Sequence, residues 1–330
     1  MPDIDFEADI KAGILALIPD DIVGREAVAH MAARDVLNAY YNWMSRLVPP
    51  MPRRVHRSTE VEAAISHHPE AEAIASVLAE IERGDDLQAR LSSSITVFRD
   101  EEAKAGHLHR RRDLDLMLAD WGVHHLHLGM PKPDDFFVER TDDLLFVSFV
   151  GHQAYAIAVL PHGNWASEDV LRIMAENWPD DEGVIWAAKG IVGLAETVTQ
   201  EERNTLRRSS VAVLFEHNGR VFMPRGGLTL GGTSMTTGLE ADKALNYIWS
   251  VDRLLKANPR RLNTITKGQG NALPAELDWH LDVLDNIWRL HERNSGSVVL
   301  LQHVIAFFDE HPADHACEVC EPPPVPDMPG

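Results

Sequence analysis

The sequence predicts an α+β protein, with a small, mainly antiparallel sheet flanked by helices and mainly helical N- and C-terminal regions. Three observations predict it. Apolar residues recur at helical spacing through most of the first ~110 residues. Two near-continuous apolar runs rich in β-branched and aromatic residues, Leu144 to Val150 and Ala154 to Leu160, follow one another in the middle of the chain, as strands buried on both faces do. Helical spacing then resumes toward the C-terminus.

In chain order, Val36, Tyr40, Trp43, Met44 and Leu47 mark a helix over residues 21–47, stopped by Pro49-Pro50. Pro49 to Arg57 reads as a connector. The run Thr59-Glu60-Val61-Glu62 reads as a capping box opening a second helix. Ile74, Val77, Leu78 and Ile81 mark a third, ended by Gly84. After Trp121-Gly122, the segment 123–129 is a short strand candidate. The two apolar runs are the central strands, and Asn164 or Ser167 caps a helix whose apolar face carries Val170, Leu171, Met174 and Trp178.

Further on, Val211 to Glu216 and Arg220 to Met223 flank Asn218-Gly219, which supplies the positive φ angles of a two-residue hairpin turn. Ala244, Ile248, Val251 and Leu255 define a helix. Leu277, Leu281, Leu284, Trp288 and His291 define another, and Val299 to Phe308 a last one, with Trp249, Trp279 and Trp288 read as helix-packing aromatics. From Glu321 the tail is proline-rich and reads as disordered. The expected organisation is a helical region over 1–110, an α/β core over 111–200, a hairpin with helices over 201–312 and a tail over 313–330.

Acidic side chains outnumber basic ones by 51 to 31, a balance of −20 that opposes broad, sequence-independent attraction to nucleic acid or anionic lipid. RNA binding would therefore need a local basic patch, and Arg53-Arg54-Val55-His56-Arg57 and His109-Arg110-Arg111-Arg112 are the nearest candidates. No run approaches the roughly 20 apolar residues of a spanning helix, and the N-terminus lacks signal-peptide features, so a cytoplasmic location is expected. Only Cys317 and Cys320 are present, too few for a disulfide framework.

The chemistry-bearing residues gather around the apolar runs. The short link Gly151-His152-Gln153 forces them to pair as a hairpin, which sets Asp142 about opposite His162 and leaves His152 at the far end. If the 123–129 strand pairs antiparallel with Leu144 to Val150, then His127, Arg140 and His162 share one sheet end. The period of two puts His125 and His127 on one face and His124 on the other. Three readings stay open. Histidines can run acid–base chemistry on a phosphodiester while Arg140 clamps the phosphate. Alternatively His125, His127 and His162, with Asp142 or Asp143, can ligate zinc or another divalent metal. The third is that these are satisfied or solvent-facing side chains in a chain with 17 histidines.

The order of helix, histidine-bearing strand, arginine, two buried strands and histidine over residues 112–165 resembles the compact domain of RelE-like and barnase-like toxin ribonucleases. That resemblance implies metal-independent RNA cleavage, with His125 or His127 as general base, His162 as acid and Arg140 as phosphate clamp. It covers about a sixth of the chain, which is longer and more acidic than such domains and carries no signature motif of theirs. A metal-dependent hydrolase and a non-catalytic scaffold for a protein partner are the alternatives. Elsewhere, the glycines at 226, 227, 231 and 232 lie where backbone amides can cradle a phosphate, though a mobile loop shaped by glycine is the simpler expectation. His311, His315, Cys317 and Cys320 fall within ten residues and can chelate zinc, or belong to an incidental tail.

Overall fold

The computed structural model describes residues 5–100, 111–230, 232–257, 262, 266, 273–284 and 287–301. His109, Arg110 and the His311–Cys320 cluster lie outside them. The chain divides into two compact units, Ile14–Leu245 and a second made of Met1–Gly13 with Asn246–Gly330.

The elements are α1 (Phe6–Leu17), α2 (Ala33–Arg46), β1 (Arg54–Arg57), α3 (Thr59–His67), α4 (Ala71–Arg83), α5 (Leu116–Trp121), β2 (His124–His127), β3 (Asp143–Val150), β4 (Gln153–Pro161) and α6 (Glu168–Asn177). They continue with β5 (Ile185–Ala187), α7 (Gln200–Arg208), β6 (Phe215–His217), β7 (Arg220–Pro224), α8 (Met235–Ala257), β8 (Trp279–Leu284), β9 (Ile287–Glu292) and β10 (Ser297–Leu300). The fold is α+β, with three small, mostly antiparallel sheets.

The central sheet of the larger unit has the order β1-β4-β3-β2. β3 and β4 form the expected hairpin around Gly151-His152, where Gly151 adopts a φ of 55°, and β2 lies antiparallel to β3 with His125 opposite Phe146. The supposed connector 49–57 is half strand. Arg54–Arg57 pairs parallel with β4, so the outer edge of that apolar strand meets another backbone instead of solvent.

Each face of this sheet has its own core. One buries Leu126, Leu128, Leu145, Val147 and Ala156 against Ile74, Val77, Leu78 and Ile81 of α4. The other buries Val123, Leu144, Phe146 and Ile157 against α6 and against Phe215 and Phe222 of the β5-β7-β6 sheet. Each fully buried side chain of this size contributes roughly 1.5–3 kcal/mol, so both layers hold the sheet in place.

One irregularity in β4 decides which face carries its end. Phe146 pairs with Ala158 and Val147 with Ala156, so Ile157 is an extra residue, a β-bulge. Ile157 and Ala158 consequently face the same core, and beyond them the alternation is reversed. Leu160, and with it His162, fall on the α6 side, the side of His125 and His127.

Several sequence expectations change. The first long helix starts at Ala33, because Gly24 adopts a φ of 78° and packs against the Arg99 carbonyl, and Arg25–Ala29 forms only a 3-10 turn. Its stop before Pro49 stands. The cap of α3 is Ser58, whose hydroxyl accepts from the Val61 amide at 3.0 Å, so Thr59 is the first helical residue rather than the cap. Gly84 ends α4 with a φ of 80°, and Ser167 caps α6. Asn218 and Gly219 make the β6–β7 turn with φ of 50° and 70°, but β6 begins only at Phe215, opposite Phe222.

In the smaller unit the helix expected over 277–291 is instead the β8–β9 pair, with β10 on the other edge of β9. Trp279, Leu281 and Val283 are buried at every second position, a period of two that the wider i, i+4 pattern concealed. Trp279 and Trp288 are therefore strand residues, and Val299 lies in β10 rather than opening a helix. Among the described residues no helix is long and apolar enough to cross a membrane.

Candidate active site

At the end of the central sheet opposite Gly151-His152 lies a cavity of about 640 Å³. His125, His127, Arg140, Asp142 and His162 all line it. These side chains come from three separate stretches, gathered by the two antiparallel pairings and the bulge.

Local structure holds each one. Asp142 meets His162 through the backbone, its carbonyl accepting from the His162 amide at 2.6 Å. The loop that carries Arg140 returns to the end of β2, where the Glu139 amide donates to the Met130 carbonyl at 2.9 Å. That return needs Gly129, because a Cβ there would stand 2.1 Å from the Glu139 carbonyl oxygen. Arg90, paired with Glu80, donates to the carbonyls of His127 and Gly129 and clamps the strand end from below.

The histidines have distinct environments. His127 is buried, and its Nδ1 accepts from the Thr141 amide at 3.4 Å, which leaves the ring proton on Nε2. Burial, reinforced by Arg140, His125 and His162, pushes its pKa down to about 4. His127 is thus a neutral hydrogen-bond donor. The ring of His125 packs on Trp165 at 4.6 Å, and its Nδ1 lies 3.7 Å from an oxygen of Asp115, the carboxylate that caps α5. Burial lowers its pKa, Asp115 opposes, and His162 and Arg140 lower it further. Among the described residues no group hydrogen-bonds to either ring nitrogen of His125. His162 meets the same indole edge-on at 4.8 Å and is exposed.

Arg140 donates to the Leu91 carbonyl at 2.9 Å and lies over Phe137 at 4.6 Å. Burial pulls its pKa below the ordinary value against an opposing Asp135, but a guanidinium stays charged. No carboxylate among the described residues lies within ion-pair distance, so its remaining N–H groups are available to an anion. His124, on the opposite face, is a core residue: Nε2 is 3.1 Å from the Ser45 carbonyl and the ring meets Phe149 edge-on.

Residues with no sequence signal complete the cavity. Trp165, Asn204, Arg207 and Arg208 reach it from the loop after β4 and from α7, elements that sequence spacing cannot bring together. Asp115 alone had a local sign, as a cap just ahead of the apolar run of α5. Of the other candidates among the described residues, only Arg111 reaches the cavity. Asp143 pairs with His68 at 3.3 Å. Arg53 is buried on backbone carbonyls, Arg57 pairs with Glu82 and Arg111 is doubly bonded to Asp113, so little of either basic run is free for RNA. The glycine loop folds back on itself through a Leu228–Ser234 bridge, and its Gly227 and Gly232 amides bond to Ala119 and Thr229 carbonyls instead of facing a phosphate. Among the described residues no three His, Cys, Asp or Glu side chains, those of His125, His127 and His162 included, group closely enough to hold a metal ion.

No family model, curated protein or solved structure matches this chain.

Proposed function

We propose that the cavity is the active site of a metal-independent ribonuclease working by histidine acid–base catalysis. The observation that carries this is the pair His125 and His162 flanking one indole, with an arginine free of carboxylates beside them in the same cavity. Burial keeps His125 neutral, so it is ready to take a proton. In the reaction, His125 accepts the 2′-hydroxyl proton as the 2′-oxygen attacks phosphorus. His162, reached by solvent, gives its proton to the departing 5′-oxygen. The P–O2′ bond forms and the P–O5′ bond breaks, leaving a 2′,3′-cyclic phosphate and a 5′-hydroxyl. Arg140 and the Nε2–H of His127 hold the non-bridging oxygens, where negative charge builds up.

Such chemistry matches the toxin ribonucleases that residues 112–165 resemble, and a toxin or defence role follows from the same proposal. The test is incubation of a short RNA with the full chain in excess chelator. Cleavage to cyclic-phosphate ends, lost in His125→Ala and His162→Ala, is expected. Intact RNA at every sequence tried, or 5′-phosphate ends, would overturn the proposal, and a folded Arg140→Ala chain without any change of phenotype would favour a scaffold.

A further inference from the structure

We infer that the cavity takes two neighbouring phosphates of one nucleotide chain, the second bound on its α7 wall by Arg207 and Arg208. From the ribonuclease proposal this takes only the place of the first phosphate, at Arg140 and His127.

Asn204, Arg207 and Arg208 stand at i, i+3 and i+4, one side of α7, and all three line the cavity. Arg207 is 2 % exposed and rigidly held. Its Nε donates to Asp120 at 2.8 Å, its Nη1 to the Trp165 carbonyl, and its guanidinium lies 4.0 Å over the Trp121 ring. The Nη2 group is buried without any partner. A buried guanidinium N–H left unsatisfied is costly, and an anionic oxygen that reaches it satisfies it. Arg208 is exposed, and among the described residues it has no carboxylate partner.

A simpler explanation is that basic residues in the last turn complement the helix dipole. That accounts for an exposed arginine but not for a buried one with an empty donor. The dipole, about half a charge, is also outweighed by two full guanidinium charges. A phosphodiester carries a single negative charge, which Arg140 and His127 already meet. Asp120 already balances the charge of Arg207, so Arg208 is the uncompensated cation on the α7 wall, and with the empty Nη2 of Arg207, in a chain of net charge −20, it calls for a second anion. Arg207 is bonded to the carbonyl of Trp165, the residue whose indole His125 and His162 flank, so one ligand spans both positions. The ligand is then a bisphosphorylated nucleoside unit within an RNA strand rather than an isolated phosphodiester.

The test is calorimetric titration of the full chain with uridine 3′-phosphate and uridine 3′,5′-bisphosphate, in wild type, Arg208→Ala and Arg208→Lys. Arg208 is chosen because it is exposed and its loss leaves the buried Arg207–Asp120 pair intact. Wild type is expected to bind the bisphosphate about tenfold more tightly than the monophosphate. Arg208→Ala abolishes that preference while its monophosphate affinity stays within about twofold, and Arg208→Lys restores part of the preference. Equal affinities in wild type, or a preference that survives Arg208→Ala, would overturn the inference. A preference without RNA cleavage defeats the catalytic proposal alone, whereas cleavage without a preference defeats this inference alone.

Discussion

The two faces of the central sheet give one residue type two different fates. On the α4 face, His124 is spent on structure, bonded to the Ser45 carbonyl against Phe149. On the α6 face, one residue further along β2, His125 lies against Trp165 beside a cavity, with no hydrogen bond to either ring nitrogen among the described residues. Both imidazoles are pushed toward the neutral form, His124 to about 4, and in both cases burial is the main cause. Depressed basicity therefore does not distinguish a candidate catalytic histidine from a core one. What does is the partner inventory and whether an opening lies in front of the ring.

The largest expected effect separates the faces directly. His125→Ala should lower RNA cleavage by about 10²–10⁴-fold with little change in melting temperature, the range typical of a lost general base. His124→Ala should do the reverse, costing roughly 1–3 kcal/mol in denaturant unfolding while turnover stays within a few-fold. Similar losses of turnover from both variants would erase the distinction. Next comes Arg140→Ala, expected to reduce kcat/KM by about 10²-fold, with Arg140→Lys recovering only part because an ammonium lacks the planar fork. Full recovery by lysine would mean that charge alone matters there.

The third effect concerns acid stability and involves both faces. His124 and His127 have folded pKa values of about 4 against an ordinary 6.5. A histidine whose pKa is depressed by folding binds fewer protons in the folded state. Its contribution is fully present above pH 6.5 and is lost as pH falls toward 4, by about 1.4 kcal/mol per pH unit for each such group. Urea unfolding at pH 7, 6 and 5 should show that decline, and His124→Phe should flatten it. A profile level across this window would contradict the burial of both rings. The smallest effect is at Gly129→Ala, where the new methyl would displace the Glu139 carbonyl and with it Arg140. A several-fold rise in KM at nearly unchanged kcat is expected from steady-state kinetics.

Much of the core was legible from the sequence because its determinants are local. A three-residue link between two apolar runs leaves the β3–β4 hairpin no other pairing, Asn218-Gly219 specifies its own turn, and Gly84 marks where α4 stops. The meeting of Arg140 and His162 at one end followed from that hairpin, and that of His127 from the further condition that β2 pairs antiparallel with β3. Their sharing of a face did not, because it depends on the extra residue Ile157, and nothing in an unbroken apolar run shows where a strand bulges. The β8–β9 pair was missed for a different reason: Leu277, Leu281, Leu284, Trp288 and His291 satisfy helical spacing while Trp279, Leu281 and Val283 satisfy a strand, and tertiary pairing chose the second. Arg207 and Trp165 are separated by 42 positions and meet only through packing of the folded chain.

Everything catalytic depends on His125, His127 and His162 facing one ligand while His124 and His152 do not. Ring-nitrogen NMR of the histidines during titration with uridine 3′-phosphate tests this most directly. The resonances of His125, His127 and His162 should shift together along one binding curve, with His124 and His152 unmoved. Shifts at His152, or no shift at any of the three cavity histidines at saturating ligand, would contradict it.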